Sequence, residues 1–213
     1  ILDGRCAAED AGRAGGRVLM AHLGNGASLC GTLDGASRAT TMGFSALDGL
    51  MMGTRTGALD PGALLYLMEV EGLSLDEVGQ MLYRQSGLLG VSGISSDMRT
   101  LRASHAAEAK EAVALFVHRA VREIGSMCAA LGGIDGLIFT GGIGENDAAT
   151  REEIMRGCQW LGLIVDPKEN AAGTGRISAD GSAVAAWVVP TDEERMIAHH
   201  VKALLGLAPA EPR

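Results

Sequence analysis

The stretch RVLMAHLGNGASLCGTLDGASRATT (Arg17–Thr41) decides the fold class. Three short runs, Arg17–Leu23, Ala27–Leu33 and Ala36–Thr41, are separated by Gly24-Asn25-Gly26 and Asp34-Gly35. Asn-Gly and Asp-Gly between such runs signal hairpins, because both central turn positions need positive φ. The chain is therefore expected to open as an antiparallel meander.

Working outward, the next signals are helical. Asp60-Pro61 reads as an N-cap followed by proline at the first helical position, opening a helix through about Glu69. Ser74-Leu75-Asp76-Glu77 reads as a capping box opening a helix through Arg84. The longest helix is expected from about His105 to Leu131, with Val113, Val117, Ala120, Ile124, Met127 and Leu131 on one face and Gly132-Gly133 as its stop. Gly136–Thr140 then reads as a buried strand, Gly141–Asn146 as a turn, and Asp147–Cys158 as a helix. Val184–Val189 reads as a last strand, and Thr191 as the N-cap of a final helix through Leu205, with Glu194 as its capping-box partner. Residues 1–16 form a loose Gly-rich leader, and 208–213 a frayed tail.

Composition narrows the function. With 213 residues, 47% of them hydrophobic and 21% charged, the chain is an ordinary globular one of one or two domains. Its formal charge of −8 disfavours a nucleic-acid partner, which needs a basic face. No apolar run approaches the roughly 18 residues that would span a bilayer, so no membrane partner is expected. Cys6, Cys30, Cys128 and Cys158 are dispersed without a CxxC, and they read as reduced, mostly buried and cytoplasmic. Lys110, Lys168 and Lys202 all lie away from the glycine turns, which removes a Walker A loop, and nothing fits GxGxxG.

An apolar strand runs into a glycine-rich turn twice, at His22–Gly26 and at Thr140–Asn146. Each turn alone is compatible with simple chain reversal. Together, edged by His, Asn and Glu, they point to backbone N–H groups presented to an anion or nucleotide, the second also opening a helix whose positive end favours phosphate. His22 and Asn25 are candidate phosphate donors; the alternative is a capped hairpin with a satisfied histidine. Arg55 lies among small residues, Gly53-Thr54 and Thr56-Gly57, where a guanidinium can approach a phosphate and bind it bidentately. Met42, Met51 and Met52 read as packing. Within Ser86–Arg99, Ser92, Ser95, Ser96, Asp97 and Arg99 read as a polar loop.

HLGNGAS (His22–Ser28), TMGFSALDGLMMGTRTG (Thr41–Gly57), SGLLGVSGISSDMR (Ser86–Arg99), FTGGIGEN (Phe139–Asn146) and PTDEERMIA (Pro190–Ala198) together resemble the acetate kinase family, over about Arg17–His200. The resemblance implies an α/β, ribonuclease-H-like fold of the actin/hexokinase/acetate kinase superfamily, a mixed sheet with flanking helices, over 17–207. It implies reversible transfer of the ATP γ-phosphoryl to acetate, giving acetyl phosphate and ADP. Mg²⁺ (or Mn²⁺) serves as cofactor, and the full-length enzyme is a homodimer. Residue by residue, His22, Leu23, Gly24, Asn25 and Gly26 match the loop that binds the nucleotide's phosphates. Asp97, Met98 and Arg99 match contacts near the base and ribose. Gly142, Ile143, Gly144, Glu145 and Asn146 match the adenosine-side loop. Arg55 matches the arginine that stabilises the transferring phosphoryl, and Glu193 the carboxylate associated with the metal. Asp192 departs from the asparagine common in the family.

The same resemblance implies a further domain upstream of His22, carrying the acyl-substrate side, another phosphate loop and a second active-site histidine. Residues 1–16 do not match it, so the chain is expected to be the C-terminal, nucleotide-binding half of such an enzyme and inactive alone. Propionate or butyrate kinase, and a non-catalytic nucleotide-binding or dimerisation fragment, are the alternatives.

Overall fold

The computed structural model describes residues 16–205, with the side chains of Glu193, Arg195, Met196, His199, His200 and Ala203 excepted. The expected leader (but for Gly16) and tail lie outside the described residues. The expected meander is present as β1 (Arg17–Leu23), β2 (Ala27–Leu33) and β3 (Ala36–Thr40). The Asp34-Gly35 turn has φ of 51° and 75°, the primed geometry expected for Asp-Gly. The other turn differs. Leu23 pairs with Ala27 across Gly24-Asn25-Gly26, and none of these three has positive φ. The Gly24 N–H instead donates to the Gly26 carbonyl at 3.0 Å, so the turn is a three-residue loop and its glycines serve close approach.

The sheet is completed by β4 (Gly136–Thr140), β5 (Gly175–Arg176) and β6 (Ala185–Val188) in the order β3-β2-β1-β4-β6-β5. β1, β4 and β6 run parallel, and β2, β3 and β5 are antiparallel to their neighbours. This is the mixed sheet expected of a ribonuclease-H-like core. Every residue of β4 and β6 is buried, as parallel strands covered on both faces require. Alternation assigns the faces. Leu19, Ala21, Leu23, Leu137, Phe139, Ala186 and Val188 belong to the main core, whereas Val18, Met20, Ile138, Ala185 and Trp187 form a separate cluster.

Between β3 and β4 lie α1 (Pro61–Glu69), α2 (Leu75–Arg84), α3 (Gly87–Ser92), α4 (Met98–Ala103) and α5 (Ala107–Leu131). The caps expected from sequence are in place. Asp60 accepts from the Gly62 N–H, and Ser74 and Glu77 form a reciprocal capping box. On α5, Val113, Ala120, Ile124 and Met127 are buried, while Val117 and Leu131 are partly buried against the same core. Gly132, at φ 70°, ends it as expected. Within Ser86–Arg99, α3 leads into the polar loop expected at Ser92–Arg99, and α4 begins inside that loop, with Asp97 as N-cap. Its glycines and serines hid the helices because those residues favour turns in isolation.

After β4 the chain enters α6 (Gly141–Asn146) and then α7 (Ala148–Gly157), where a turn and one helix were expected. Asp147 separates them and caps α7 by accepting from the Thr150 N–H at 3.0 Å. A 3₁₀ turn (Gln159–Leu161) and α8 (Pro167–Ala172) precede β5. The last helix, α9, runs Glu193–Leu204. It starts one residue later than a Thr191 N-cap requires, and the Thr191 N–H and hydroxyl both donate to Glu145.

Cys158 is fully buried, and burial pushes its thiol up to about 12; Cys128, also buried, is raised in the same direction. Thiolates are the reactive species. At pH 8, iodoacetamide is therefore expected to alkylate Cys30, which is partly exposed, well before Cys128 and Cys158. Peptide mass mapping over time checks this; early modification of Cys158 in the folded chain would contradict the packing described.

Candidate nucleotide site

The site follows from the sheet. β1 and β4 pair in parallel with His22 opposite Thr140, and β4 and β6 pair with Phe139 opposite Val188. The three parallel strands therefore end together, and their following loops begin at one edge. Ligands of open α/β sheets bind beyond the carboxyl ends of such strands. Here those ends deliver Gly24, Gly141 and Thr191.

Two cavities open at this edge. One, of about 480 Å³, is lined by His22, Gly24–Ser28, Met42, Met52, Arg55, Gly141, Gly142 and Thr191. The other, of about 800 Å³, is lined by Gly24, Asn25, Ser96–Arg99, Arg102, Ala103, Gly142, Ile143, Asn146 and Asp147. Gly24, Asn25 and Gly142 line both, so the two adjoin and are taken together as one cleft. A Cβ on Gly24 would stand 3.7 Å from the Gly142 backbone nitrogen, which measures how closely the two turns approach.

The Arg55 loop is pinned to the first turn. The Gly53 N–H donates to the Asn25 carbonyl at 2.9 Å, and the Leu88 N–H donates to the Met52 carbonyl at 2.9 Å. Gly87, at φ 62°, sits so close to the Met52 carbonyl that a Cβ there would collide with it. Arg55 Nη1 makes only long contacts, 3.4 Å to the Ala46 carbonyl and 3.8 Å to the Met52 sulfur. Among the described residues no carboxylate pairs with it. A half-buried cation facing a cavity rimmed by N–H groups suits an anion. At the far end of the cleft, Asp97 caps α4 and accepts from Arg99 Nη2 at 2.8 Å, and the guanidinium holds the Asp97 carboxyl below its usual range. Arg99 itself projects into solvent.

Of the residues singled out in the sequence, His22, Gly24, Asn25, Gly26, Arg55, Asp97, Met98, Arg99, Gly142, Ile143 and Asn146 line the cleft. Leu23 is fully buried beneath it, and Gly144 is packed against β4. The Glu145 carboxylate does not line either cavity. Its Oε1 accepts from the Gly141 N–H at 2.9 Å, from the Thr191 N–H at 2.9 Å, and from the hydroxyls of Thr191 and Thr140. The first N–H of α6 is thus taken by the protein's own carboxylate, not left for a phosphate. Met42, expected as packing, is 37% exposed and lines the smaller cavity with Met52, while Met51 is buried. The Glu193 side chain lies outside the described residues.

Sequence reading missed Ser28, Ser96, Arg102, Asp147 and Thr191, which also line the cleft. It also missed the support of α6. Arg151 is 1% exposed and donates to the carbonyls of Gly144 at 3.0 Å, Glu145 at 2.9 Å and Asn170 at 2.5 Å, and to Asn170 Oδ1 at 2.9 Å. It satisfies carbonyls that a short helix leaves unpaired. Burial pushes its guanidinium down from the ordinary value, and Asp147 opposes that.

As a metal site the described part is unsuited by itself. The described side chains of the smaller cavity supply donors and neutral groups, with no carboxylate. Among the described residues, no cluster of three or more His, Cys, Asp or Glu side chains converges to hold a metal.

A family model described as the acetokinase family matches residues 9–199. The chain belongs to the acetokinase family. It is 58% identical over 190 residues to the acetate kinase of Rhodopseudomonas palustris (strain TIE-1), covering 88% of this chain and 48% of that protein. It is 52% identical over 192 residues to the acetate kinase of Methylocella silvestris, covering 90% and 48%. In structure it resembles Porphyromonas gingivalis acetate kinase, with a TM-score of 0.90 and 38% identity over 96% of this chain and 53% of that one. A propionate kinase from Francisella tularensis gives 0.85 and 38% over 92% and 51%. The chain thus spans about half the length of the relatives it matches. The fold class and the resemblance read from the sequence are both borne out.

Replacing Arg151 by Met would leave the carbonyls of Gly144, Glu145 and Asn170 without donors. Each unsatisfied buried acceptor costs on the order of 1–3 kcal/mol, so Arg151→Met is expected to lower unfolding stability by about 3 kcal/mol. Urea denaturation followed by circular dichroism checks it; an unchanged midpoint would show that the carbonyls find other donors.

Proposed function

We propose that the chain is the nucleotide-binding half of an acetate kinase, acting in reversible phosphoryl transfer between ATP and acetate to give acetyl phosphate and ADP. The observation that carries this reading is that the two cavities adjoin, with Gly24, Asn25 and Gly142 belonging to both. One ligand can then lie along the cleft. Its base end is taken by Met98, Ile143 and the Asp97–Arg99 segment, its phosphates by the Gly24–Gly26 turn, and its terminal phosphoryl by Arg55. His22 and Ser28 are further donors at the phosphate end.

Phosphoryl transfer needs positioning and charge neutralisation more than covalent help. A carboxylate oxygen of acetate forms a bond to phosphorus as the bond to the ADP oxygen breaks. Charge builds on the oxygens in flight, and Arg55, unpaired among the described residues, is placed to meet it. Mg²⁺, which supplies charge neutralisation on the phosphates when bound, would rest mainly on phosphate oxygens in this half. Glu193 is the carboxylate proposed to assist it.

The acyl group is the finer question. The acetate kinase and the propionate kinase structures are equally identical to this chain at 38%. That likeness does not separate the two acyl groups, and acetate rests on the sequence relatives, which are named acetate kinases. A homodimer belongs to the same reading. On α1, Leu65, Tyr66 and Met68 are 58%, 52% and 41% exposed, an apolar face suited to a second copy. A cytoplasmic setting accords with the dispersed thiols, and no helix among the described residues is long and apolar enough to cross a membrane.

The reading is tested by grafting residues 17–205 in place of the matching segment of the R. palustris enzyme. The graft is expected to make acetyl phosphate, with acetate preferred to propionate and butyrate. Arg55→Ala in the graft is expected to lower kcat by roughly 10³, with a much smaller change in nucleotide Kd, because the contact strengthens in the transition state. An inactive but folded graft that still binds ADP would favour a non-catalytic module. A weakened Kd with normal kcat would make Arg55 a ground-state binding residue.

A further inference from the structure

We infer that Arg102 is a positioning residue for the base end of the nucleotide, a clamp that fixes the width of the larger cavity by joining its two walls. The inference rests on the nucleotide reading of the cleft. One wall is α4, which carries Met98 and Arg99; the other is the junction of α6 and α7, which carries Ile143, Asn146 and Asp147. Arg102 is the side chain that reaches from the first wall to the second. Its Nη1 and Nη2 donate to Glu153 Oε1 and Oε2, both at 2.8 Å. Nη2 also donates to Thr150 Oγ1 at 2.8 Å, and Nε to Asp147 Oδ2 at 3.4 Å. The Thr150 hydroxyl donates in turn to Asp147 Oδ2 at 2.6 Å, so the clamp ends on the capping residue of α7.

Three features make this more than a surface ion pair. The side chains of Arg102 and Asp147 are only 25% and 16% exposed, so the contact is partly shielded from water. The pairing with Glu153 is bidentate, which fixes direction as well as distance. Arg102 also lines a third cavity, of about 640 Å³, bordered by Val113, Val117, His118 and Gly157. The guanidinium is thus the common wall of two cavities. Its removal would take away the four hydrogen bonds that tie α4 to α7 and leave Glu153 without its cation.

Such a role acts on the base and ribose and leaves the phosphate end alone, since Gly24, Gly26 and Arg55 are held by other contacts. The test separates the two ends. ADP and inorganic tripolyphosphate are titrated calorimetrically into the 213-residue chain and into its Arg102→Ala, Arg102→Lys and Glu153→Gln variants. Arg102→Ala is expected to raise the ADP Kd roughly tenfold while the tripolyphosphate Kd moves less than about twofold. Arg102→Lys keeps the charge and loses the fork, and it is expected to fall between. Glu153→Gln acts from outside the cleft on an exposed residue; it is expected to weaken ADP in the same sense, and it covers the case in which Arg102→Ala does not fold. Equal losses for both probes would mean a general loosening and would overturn the inference. Unchanged ADP affinity in Arg102→Ala and Glu153→Gln would overturn it while leaving the nucleotide reading intact. A wild-type chain that binds neither probe would overturn that reading and the inference with it.

Discussion

The parallel register of β1, β4 and β6 is the constraint on which everything else depends. With His22 opposite Thr140, and Phe139 opposite Val188, three strands distant in sequence stop at one line. Each then turns into a loop that must satisfy its own backbone groups at the same edge. Convergence of Gly24, Gly142 and Thr191 follows from strand length and pairing, before any side chain is considered. A one-residue slip of β4 would turn Leu137 and Phe139 out of the main core, so the burial of those residues also fixes where the cleft is.

Around that edge the protein uses charged side chains in three distinct ways. Arg55 is left without a carboxylate among the described residues and faces a cavity. Arg151 is wholly enclosed and spends its donors on backbone carbonyls. Arg102 bridges two helices through carboxylates. The residue type is constant and the surroundings decide the role. Burial with carbonyl partners makes a support, pairing across a gap makes a clamp, and partial burial without a counter-charge makes an anion ligand.

Much of the architecture was legible in the sequence, for reasons that can be named. The meander was announced by Asp-Gly, the first two helices by Asp60-Pro61 and the Ser74 capping box, and the long helix by its apolar spacing. α8 carries the same signal as α1, an Asp-Pro pair at Asp166-Pro167, and went unread because only a short helix follows it. α3 and α4 were hidden by glycine and serine, whose local preference favours turns until packing overrides it. In the site, backbone-based features were readable because the strand-to-glycine turn occurs twice, edged by His22, Asn25 and Glu145. The roles of Glu145, Arg151 and Arg102 were not. Each depends on a partner far along the chain: Thr191, Asn170 and Glu153 respectively. A single sequence carries no mark of such pairings.

The carboxylate of Glu145 has a consequence for motion. One oxygen atom accepts from Gly141 at the head of α6 and from Thr191 just before α9. If either segment leaves its place with that carboxylate, the other loses a charged acceptor that the two share. The glycine turn after β4 and the entry to the last helix are therefore tied to each other through this one carboxylate.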